Sequence, residues 1–168
     1  MFVTDELSQS PAGEPNAPSS RPRVDFYVLD APSPVARLRT ACRIVEKAYL
    51  ASQSVLVWHT DVDELRQFDE MLWSFAEGSF VPHDVLIPGG TATAPVLLTA
   101  GAVPQGPIEV LVNLGPDVPP CASEALRIAE VIDGDAGRRQ AGRARFRTYK
   151  ERGLQPASHN LGNDSLPA

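Results

Sequence analysis

The chain has 168 residues, of which 43% are hydrophobic and 21% charged, a composition typical of a globular protein with one domain's worth of core. No apolar run approaches the roughly 18 residues of a membrane-spanning helix, and the N-terminus lacks the features of a secretory signal, so we expect a cytoplasmic protein. A formal net charge of -6 argues against binding of naked DNA by the whole surface.

The first 22 residues contain four prolines among small and polar residues, and they show no sustained apolar periodicity. A segment of this composition has too little apolar surface to bury, so we expect residues 1–22 to form a disordered extension. The folded domain is expected to begin at residue 23.

A strand, a helix and a second strand follow in that order. Residues 24–29 are rich in β-branched and aromatic side chains, which favour a strand. Ser33 and Pro34 are suited to the N-cap and first position of a helix of roughly four to five turns. Residues 54–58 are nearly all apolar, as expected for a central parallel strand covered on both faces. This order predicts a right-handed β-α-β unit.

A second helix is predicted directly after the second strand. Thr60, with Asp63 three residues later, resembles a capping box and predicts the start of this helix. The apolar residues of the helix recur at helical spacing, and the large ring of Trp73 lies at its end. Phe80 and Pro82 follow in an extended segment, which places a second aromatic ring near the first.

Two interpretations of Trp73 and Phe80 are open. Residue type alone favours a place in the core beneath a loop, because most large aromatic side chains are highly buried. The alternative is an exposed corner, completed by Pro82 and His83, that contacts a protein partner, since patches rich in Trp and Phe are typical of interfaces. His83 is expected to be a capping or interface residue rather than a catalytic base.

Further strands and a last helix are predicted in the second half of the chain. Three more extended segments are expected, at residues 85–87, 95–99 and 108–112. Residues 122–132 are ambiguous between helix and strand, and we expect a short helix over 122–127 followed by a strand.

The last helix is expected at residues 138–152, and residues 154–168 are expected to form a flexible tail. Alternation of strands and helices predicts a three-layer α/β domain over residues 23–153.

No catalytic motif is present in the sequence. The turn after the first strand lacks the glycine-rich fingerprint of dinucleotide-binding folds, and there is no P-loop or GxSxG elbow. Cys42 and Cys121 are far apart and lack the spacing of zinc ligands or of a disulfide framework. We therefore expect no catalytic residue, metal or cofactor. An enzyme that binds a nucleotide in the crevice at the sheet edge stays as the alternative.

Charge is strongly polarised along the chain. Residues 138–152 carry seven basic residues and one acid, a net charge of +6, so the remainder carries 8 basic and 20 acidic residues. One stripe of the predicted helix consists of Arg139, Arg143, Phe146 and Lys150. Arginines bind carboxylates and a ring adds apolar surface, which suits an acidic peptide with a hydrophobic end. A solvated helix with Phe146 and Tyr149 in the core, and direct phosphate binding, are the open alternatives.

Five segments carry a family resemblance when they are taken in order. They are Asp25-Phe26-Tyr27-Val28-Leu29, Asp69-Glu70-Met71-Leu72-Trp73, Ser79-Phe80-Val81-Pro82-His83, Ala94-Pro95-Val96, and residues 143–150 with Gly153. Together they resemble the chi subunits of the bacterial DNA polymerase III holoenzyme over nearly all of residues 23–154. The resemblance implies a non-catalytic subunit with a Rossmann-like α/β fold and a mostly parallel central sheet.

The resemblance also implies two partner sites. Chi subunits link the clamp loader to single-stranded-DNA-binding protein (SSB) by binding the psi subunit on one side and the acidic, Phe-ending tail of SSB on the other. By position, Arg143 matches the family's tail-binding arginine, Phe146 matches an aromatic that packs against the tail, and Arg139 replaces a lysine. Trp73 and Phe80 match aromatics used towards psi or other protein partners. DNA is then expected to be reached only indirectly.

Overall fold

Parallel β-strands form one seven-stranded sheet in the structure, a computed structural model that describes residues 21–162. The strands are β1 Arg23–Leu29, β2 Val55–Trp58, β3 His83–Leu86, β4 Val96–Thr99, β5 Ile108–Asn113, β6 Ala125–Ile132 and β7 Ala157–Gly162. Their order in the sheet is β3-β4-β2-β5-β6-β1-β7, and every neighbouring pair is parallel. The helices are α1 Pro34–Leu50, α2 Val62–Ser74 and α3 Ala136–Glu151. The predicted three-layer α/β fold is confirmed.

The two faces of the sheet are covered by different helices. Alternate residues of a strand point to opposite faces, so Val55 and Val57 pack with α1 and α2, whereas Leu56 and Trp58 belong to the core beneath α3. The central strands are buried on both sides, which explains their nearly continuous apolar sequence.

Side-chain caps fix where the first two helices begin. The Ser33 hydroxyl accepts a hydrogen bond from the Ala36 N–H at 3.1 Å, so the predicted start of α1 is confirmed. The predicted capping box of Thr60 and Asp63 is wrong. Asp61 is the N-cap of α2, and its carboxylate accepts from the N–H groups of Asp63 and Glu64 at 2.9 and 3.1 Å.

The predicted helix over residues 122–127 is much shorter in the structure. Only Ala122–Glu124 form a 3-10 turn, and β6 begins at Ala125. β6 pairs with both β1 and β5, and this central position explains why its apolar sequence does not distinguish a strand from a buried helix.

The C-terminal segment predicted as a flexible tail contains the edge strand β7. Its main chain pairs with β1, and the ring of His159 stacks on Tyr27 with centroids 5.2 Å apart. His159 Nε2 also lies 2.9 Å from Oδ1 of the buried Asp25. The prediction was wrong because a polar strand at a sheet edge needs no apolar alternation when its partner strand supplies the hydrogen bonds.

Residues 1–20 of the predicted extension and residues 163–168 of the predicted tail lie outside the described residues. Within residues 21–162, no helix combines the length and apolar character needed to cross a membrane. Cys42 and Cys121 are both free and buried, and burial raises the pKa of the Cys42 thiol to about 12.

Candidate functional site

A cavity of about 250 Å³ opens between α3 and the β1 and β7 side of the sheet. Its lining residues are Phe26 and Val28 of β1, Ile132 of β6, Ser158 of β7, and Arg139, Gly142, Arg143 and Phe146 of α3. Three of the four residues of the predicted basic stripe therefore meet at one pocket, which we call the α3 pocket. Lys150 stands beside it, with Nζ 5.7 Å from the centroid of the Phe146 ring.

Aromatic rings and a glycine form the apolar part of the α3 pocket. Phe146 is half-buried and packs on Phe26 with ring centroids 5.2 Å apart. A Cβ at Gly142 would lie 2.3 Å from Cδ1 of Ile132, so the glycine allows α3 to approach the sheet closely here. Tyr149, by contrast, is fully buried. The alternative in which both rings face the core is therefore right for Tyr149, whereas Phe146 packs against the core on one side and lines the pocket on the other.

The two arginines of the α3 pocket have unused hydrogen-bonding capacity. Arg139 donates from Nη2 to the carbonyls of Leu29 and Asp30 at 3.2 and 3.3 Å, but its buried Nε has no partner among the described residues. Arg143 is exposed, and within residues 21–162 its guanidinium makes no hydrogen bond or ion pair. These groups provide a positively charged rim next to an apolar floor.

A buried carboxylate on β6 holds α3 in this position. Glu130 accepts hydrogen bonds from the Tyr149 hydroxyl at 2.7 Å, from Nε of Arg145 at 3.0 Å and from Nδ2 of Asn113 at 2.9 Å. Burial, followed by the neighbouring Glu130 charge, raises the pKa of Tyr149 far above its ordinary value. Arg145 thus holds α3 against the sheet through Glu130, whereas Arg143 faces solvent, although both belong to the same run of basic residues.

A second ion pair orients the N-terminal end of α3. Arg138 donates from Nε and Nη2 to the two carboxylate oxygens of Asp133 at 2.6 and 2.7 Å. Burial alone would raise the pKa of Asp133, but the hydrogen bonds from Arg138 and from the Asp135 N–H lower it below its ordinary value. The helix also begins with a side-chain cap, since Asp135 accepts from the Arg138 N–H at 2.9 Å.

The lowered pKa of Asp133 predicts a pH-dependent contribution to stability. A carboxylate with a depressed folded-state pKa stabilises the fold above its unfolded pKa of about 3.9, and this contribution is lost as the pH falls through the folded-state pKa. Asp133→Asn is therefore expected to reduce the free energy of unfolding at pH 7, with a difference from wild type that shrinks at pH 3. Urea denaturation at both pH values measures it. The exposed Asp63→Asn variant is the control, and a difference for Asp133→Asn that stays constant would contradict the prediction.

Trp73 and Phe80 lie on the surface at the opposite edge of the sheet. Their side chains are 48% and 67% exposed, and their ring centroids are 5.4 Å apart. The interpretation that both rings fill the core is therefore wrong. Together with the half-buried Pro82 they form an exposed apolar corner, the Trp73 patch.

His83 supports the Trp73 patch from below. Its buried imidazole lies 4.2 Å from the Trp73 ring, with Nδ1 2.7 Å from the Val81 carbonyl and Nε2 2.8 Å from Oδ1 of Asp69. His83 is too buried to contact a partner directly, so its predicted place on the interface is corrected to a supporting one.

The α3 pocket and the Trp73 patch are far apart. The patch is built on α2 and the segment that leads into β3, the pocket lies beside α3, β1 and β7, and β3 and β7 are the two edge strands. Six strand-to-strand steps of about 4.8 Å separate these edges, roughly 30 Å in total. The two surfaces share no residue.

A second cavity, of about 420 Å³, lies at the carboxyl ends of β2, β5 and β6, the position where α/β proteins often bind ligands. Its buried Arg37 donates to the carbonyls of Leu114 and Val131 at 2.6 and 3.0 Å. Burial, followed by the positive charge of Arg138, lowers the pKa of Arg37 to about 10. The other two arginines here, Arg138 and Arg145, already bind carboxylates. The sequence predicts a crevice here only for the alternative enzyme, and it does not predict Arg37 as a lining residue, because nothing in the local sequence marks this arginine.

Comparison with known proteins places the chain in a family. The family profile described as "DNA polymerase III chi subunit, HolC" matches residues 22–157. A Pseudomonas aeruginosa protein named DNA polymerase III subunit chi is 37% identical over 139 residues, which cover 83% of this chain and 96% of that protein. The protein of the same name from Escherichia coli K12 is 26% identical over 137 residues, covering 77% of this chain and 91% of the relative.

A solved structure supports the fold alone. The C-terminal domain of S. cerevisiae Dbp5, in a complex with Gle1 and IP6, superposes with a TM-score of 0.50 at 11% identity, covering 82% of this chain and 90% of that one. The family profile and the two relatives, in contrast, span nearly all of the described domain. The chain therefore belongs to the family of DNA polymerase III chi subunits, accessory subunits of that polymerase, as the sequence motifs predict.

Proposed function

We propose that this protein is an adaptor in DNA replication that links the clamp loader of DNA polymerase III to SSB. The observation that carries the proposal is the presence of two dissimilar surfaces at opposite edges of one rigid sheet. An adaptor needs two partner sites that can be occupied at once. The α3 pocket and the Trp73 patch meet this requirement, because roughly 30 Å separates the sheet edges on which they lie.

The α3 pocket is proposed to bind the acidic, Phe-ending tail of SSB. A cavity of roughly 150 Å³ is large enough to hold benzene, so one of about 250 Å³ has room for a phenylalanine ring. Phe26 and Phe146 offer that ring an apolar, aromatic surface. Arg143 is exposed and has no internal partner in the described residues, so it can donate to the carboxylates of the tail, while Arg139 adds positive charge at the same pocket.

The Trp73 patch is proposed to bind the psi subunit of the clamp loader or another replication or repair protein. Trp73 and Phe80 contact each other and remain about half or more exposed, so a partner can desolvate both rings together. The buried His83 and its bond to Asp69 hold the indole from below, which reduces the entropy lost on binding.

The alternative function, a nucleotide-binding enzyme, would use the cavity at the carboxyl ends of the strands. Its arginines are engaged by Asp133, Glu130 and main-chain carbonyls, and the cavity also holds Asp61, Glu64 and Asp135. A phosphate would have to compete with these carboxylates, so the adaptor is the better-supported proposal. Titration with nucleotides and with the SSB tail peptide separates the two functions.

Binding to DNA is expected to be indirect. The net charge is -6, and two of the basic side chains of α3, Arg138 and Arg145, are neutralised internally. In gel-shift experiments at physiological salt, we expect little retention of naked single-stranded DNA and clear retention of SSB-coated DNA. SSB truncated before its acidic tail is the control, and tight binding to naked DNA would contradict this prediction.

The adaptor function is tested by reconstitution on beads that carry SSB-coated single-stranded DNA. Clamp loader with psi is added with and without this protein, and its recovery on the beads is measured. We expect recovery to require this protein and to be lost with Arg143→Ala or Trp73→Ala. Equal recovery without the protein would overturn the proposal.

A further inference from the structure

The described chain ends beside the α3 pocket. β7 contributes Ser158 to the pocket wall and ends at Gly162, whose carbonyl accepts a hydrogen bond from the Asp30 N–H at 2.8 Å. The carbonyl of the same Asp30 accepts from Nη2 of Arg139 at 3.3 Å. Asp30 therefore bridges Gly162, the last described residue, and Arg139 at the rim of the pocket.

The backbone of Gly162 departs from the extended conformation of β7. Its φ of +62° lies in the left-handed region, which ends the extended course of β7 and is accessible to glycine without strain. The next residues, 163–168, lie outside the described part of the chain and have the sequence Asn-Asp-Ser-Leu-Pro-Ala. They combine a carboxylate at Asp164 with an apolar pair, Leu166 and Pro167.

We propose that residues 163–168 dock into the α3 pocket of their own chain, with Asp164 at Arg139 and Leu166 on the apolar floor, and so compete with acidic peptides. The segment has the chemistry for which the pocket is suited, a negative charge followed by an apolar end. This inference rests on the proposed function only where it states the competition; the intramolecular contact stands on its own.

The distances along the chain allow this contact. Each extended residue spans at most about 3.6 Å, so Leu166 can lie roughly 14 Å from Gly162. Arg139 and Phe146 are seven positions apart on α3, which corresponds to about 10 Å along the helix axis. A segment of this length is therefore long enough to reach from Arg139 to Phe146 if it folds back at Gly162.

A weak contact is sufficient because the segment is tethered. Short tethers give effective concentrations on the order of millimolar, so a contact of millimolar intrinsic affinity is occupied about half of the time. Removing a contact that is occupied half of the time is expected to raise the affinity for an external acidic peptide about twofold.

The test uses the full chain with the double substitution Asp164→Asn and Leu166→Ser. The matched control is Asn163→Ala with Ser165→Ala, which alters neighbouring positions and keeps the charge and the leucine. The first readout is the NMR signal of the Arg139 and Arg143 Nε–H groups without added peptide. The second is calorimetric titration with the C-terminal peptide of SSB.

Docking predicts that the arginine signals of the double variant differ from those of wild type, whereas the control matches wild type. Unchanged arginine signals would overturn the docking, whatever the peptide does. Shifted signals with an unchanged peptide affinity would overturn the competition. If the SSB peptide binds no form of the protein, the proposed tail-binding function fails, and the arginine signals alone decide the inference.

Discussion

Arg143→Ala is expected to weaken binding of the SSB tail peptide by tens of fold or more. A charge-assisted hydrogen bond between arginine and carboxylate contributes about 2 to 3 kcal/mol, and each 1.4 kcal/mol corresponds to roughly a factor of ten in affinity. Arg143 has no partner among the described residues, so its removal should leave the fold and the cavity intact. Isothermal titration calorimetry with the tail peptide measures the effect.

Arg147→Ala is the matched control for this measurement. Arg147 is exposed on the same helix, carries the same charge and does not line the α3 pocket. A similar loss of affinity in both variants would indicate long-range electrostatic attraction rather than a specific contact. Such a loss should shrink in both variants at higher salt concentration, because salt screens exposed charges. Unchanged affinity in Arg143→Ala would remove the α3 pocket as the tail site.

Trp73→Ala is expected to abolish binding of psi, or of whichever partner uses the patch, while the fold remains nearly as stable. Truncating an interface anchor typically costs 2 kcal/mol or more of binding, about thirtyfold. Because 48% of the residue is exposed, its loss should cost only about 1 to 2 kcal/mol of folding stability. Thermal melting and a pull-down with purified psi measure the two quantities.

Two further variants are reference points for the stability and the partner binding of Trp73→Ala. Phe68→Ala removes a fully buried ring from the same helix and is expected to cost about 3 to 5 kcal/mol of stability. Leu126→Ala removes another exposed apolar side chain, away from the patch, and should affect neither quantity. The tail peptide should bind Trp73→Ala normally. A melting temperature as low as that of Phe68→Ala would mean that Trp73 is a core residue in solution.

The sequence predicted those strands and helix starts that are determined by propensity, burial and capping within the segment itself. The apolar runs of β2 and β5 and the Ser33 cap of α1 agree with the structure because propensity, burial and capping favour the same result there. The α2 cap was misplaced by one residue, since Thr60 and Asp61 are both acceptable caps and only the backbone selects between them. β7 was missed because its partner strand, 132 residues earlier, supplies the hydrogen bonds that its polar sequence does not predict.

The candidate site was predictable in part. The helical stripe correctly grouped Arg139, Arg143 and Phe146, because positions three and four apart share a helix face. The opposite wall could not be predicted, since Phe26 and Ser158 reach the pocket through sheet pairing. The structural role of Arg145 had a signal that was not used: it lies four positions before the buried Tyr149, on the face that meets the sheet.

The separation of the two surfaces has a kinetic consequence for the proposed adaptor function. Sites this far apart, with no shared residues, are expected to contribute additively, so loss of one partner should not change the residence time of the other. Two links in series hold only as long as the shorter-lived one. The lifetime of the three-part complex is then set by the partner that dissociates faster. Variants that weaken one surface are expected to shorten this lifetime, because interface mutations act mostly on dissociation rates. In the proposed adaptor, one partner is then expected to exchange while the other stays bound.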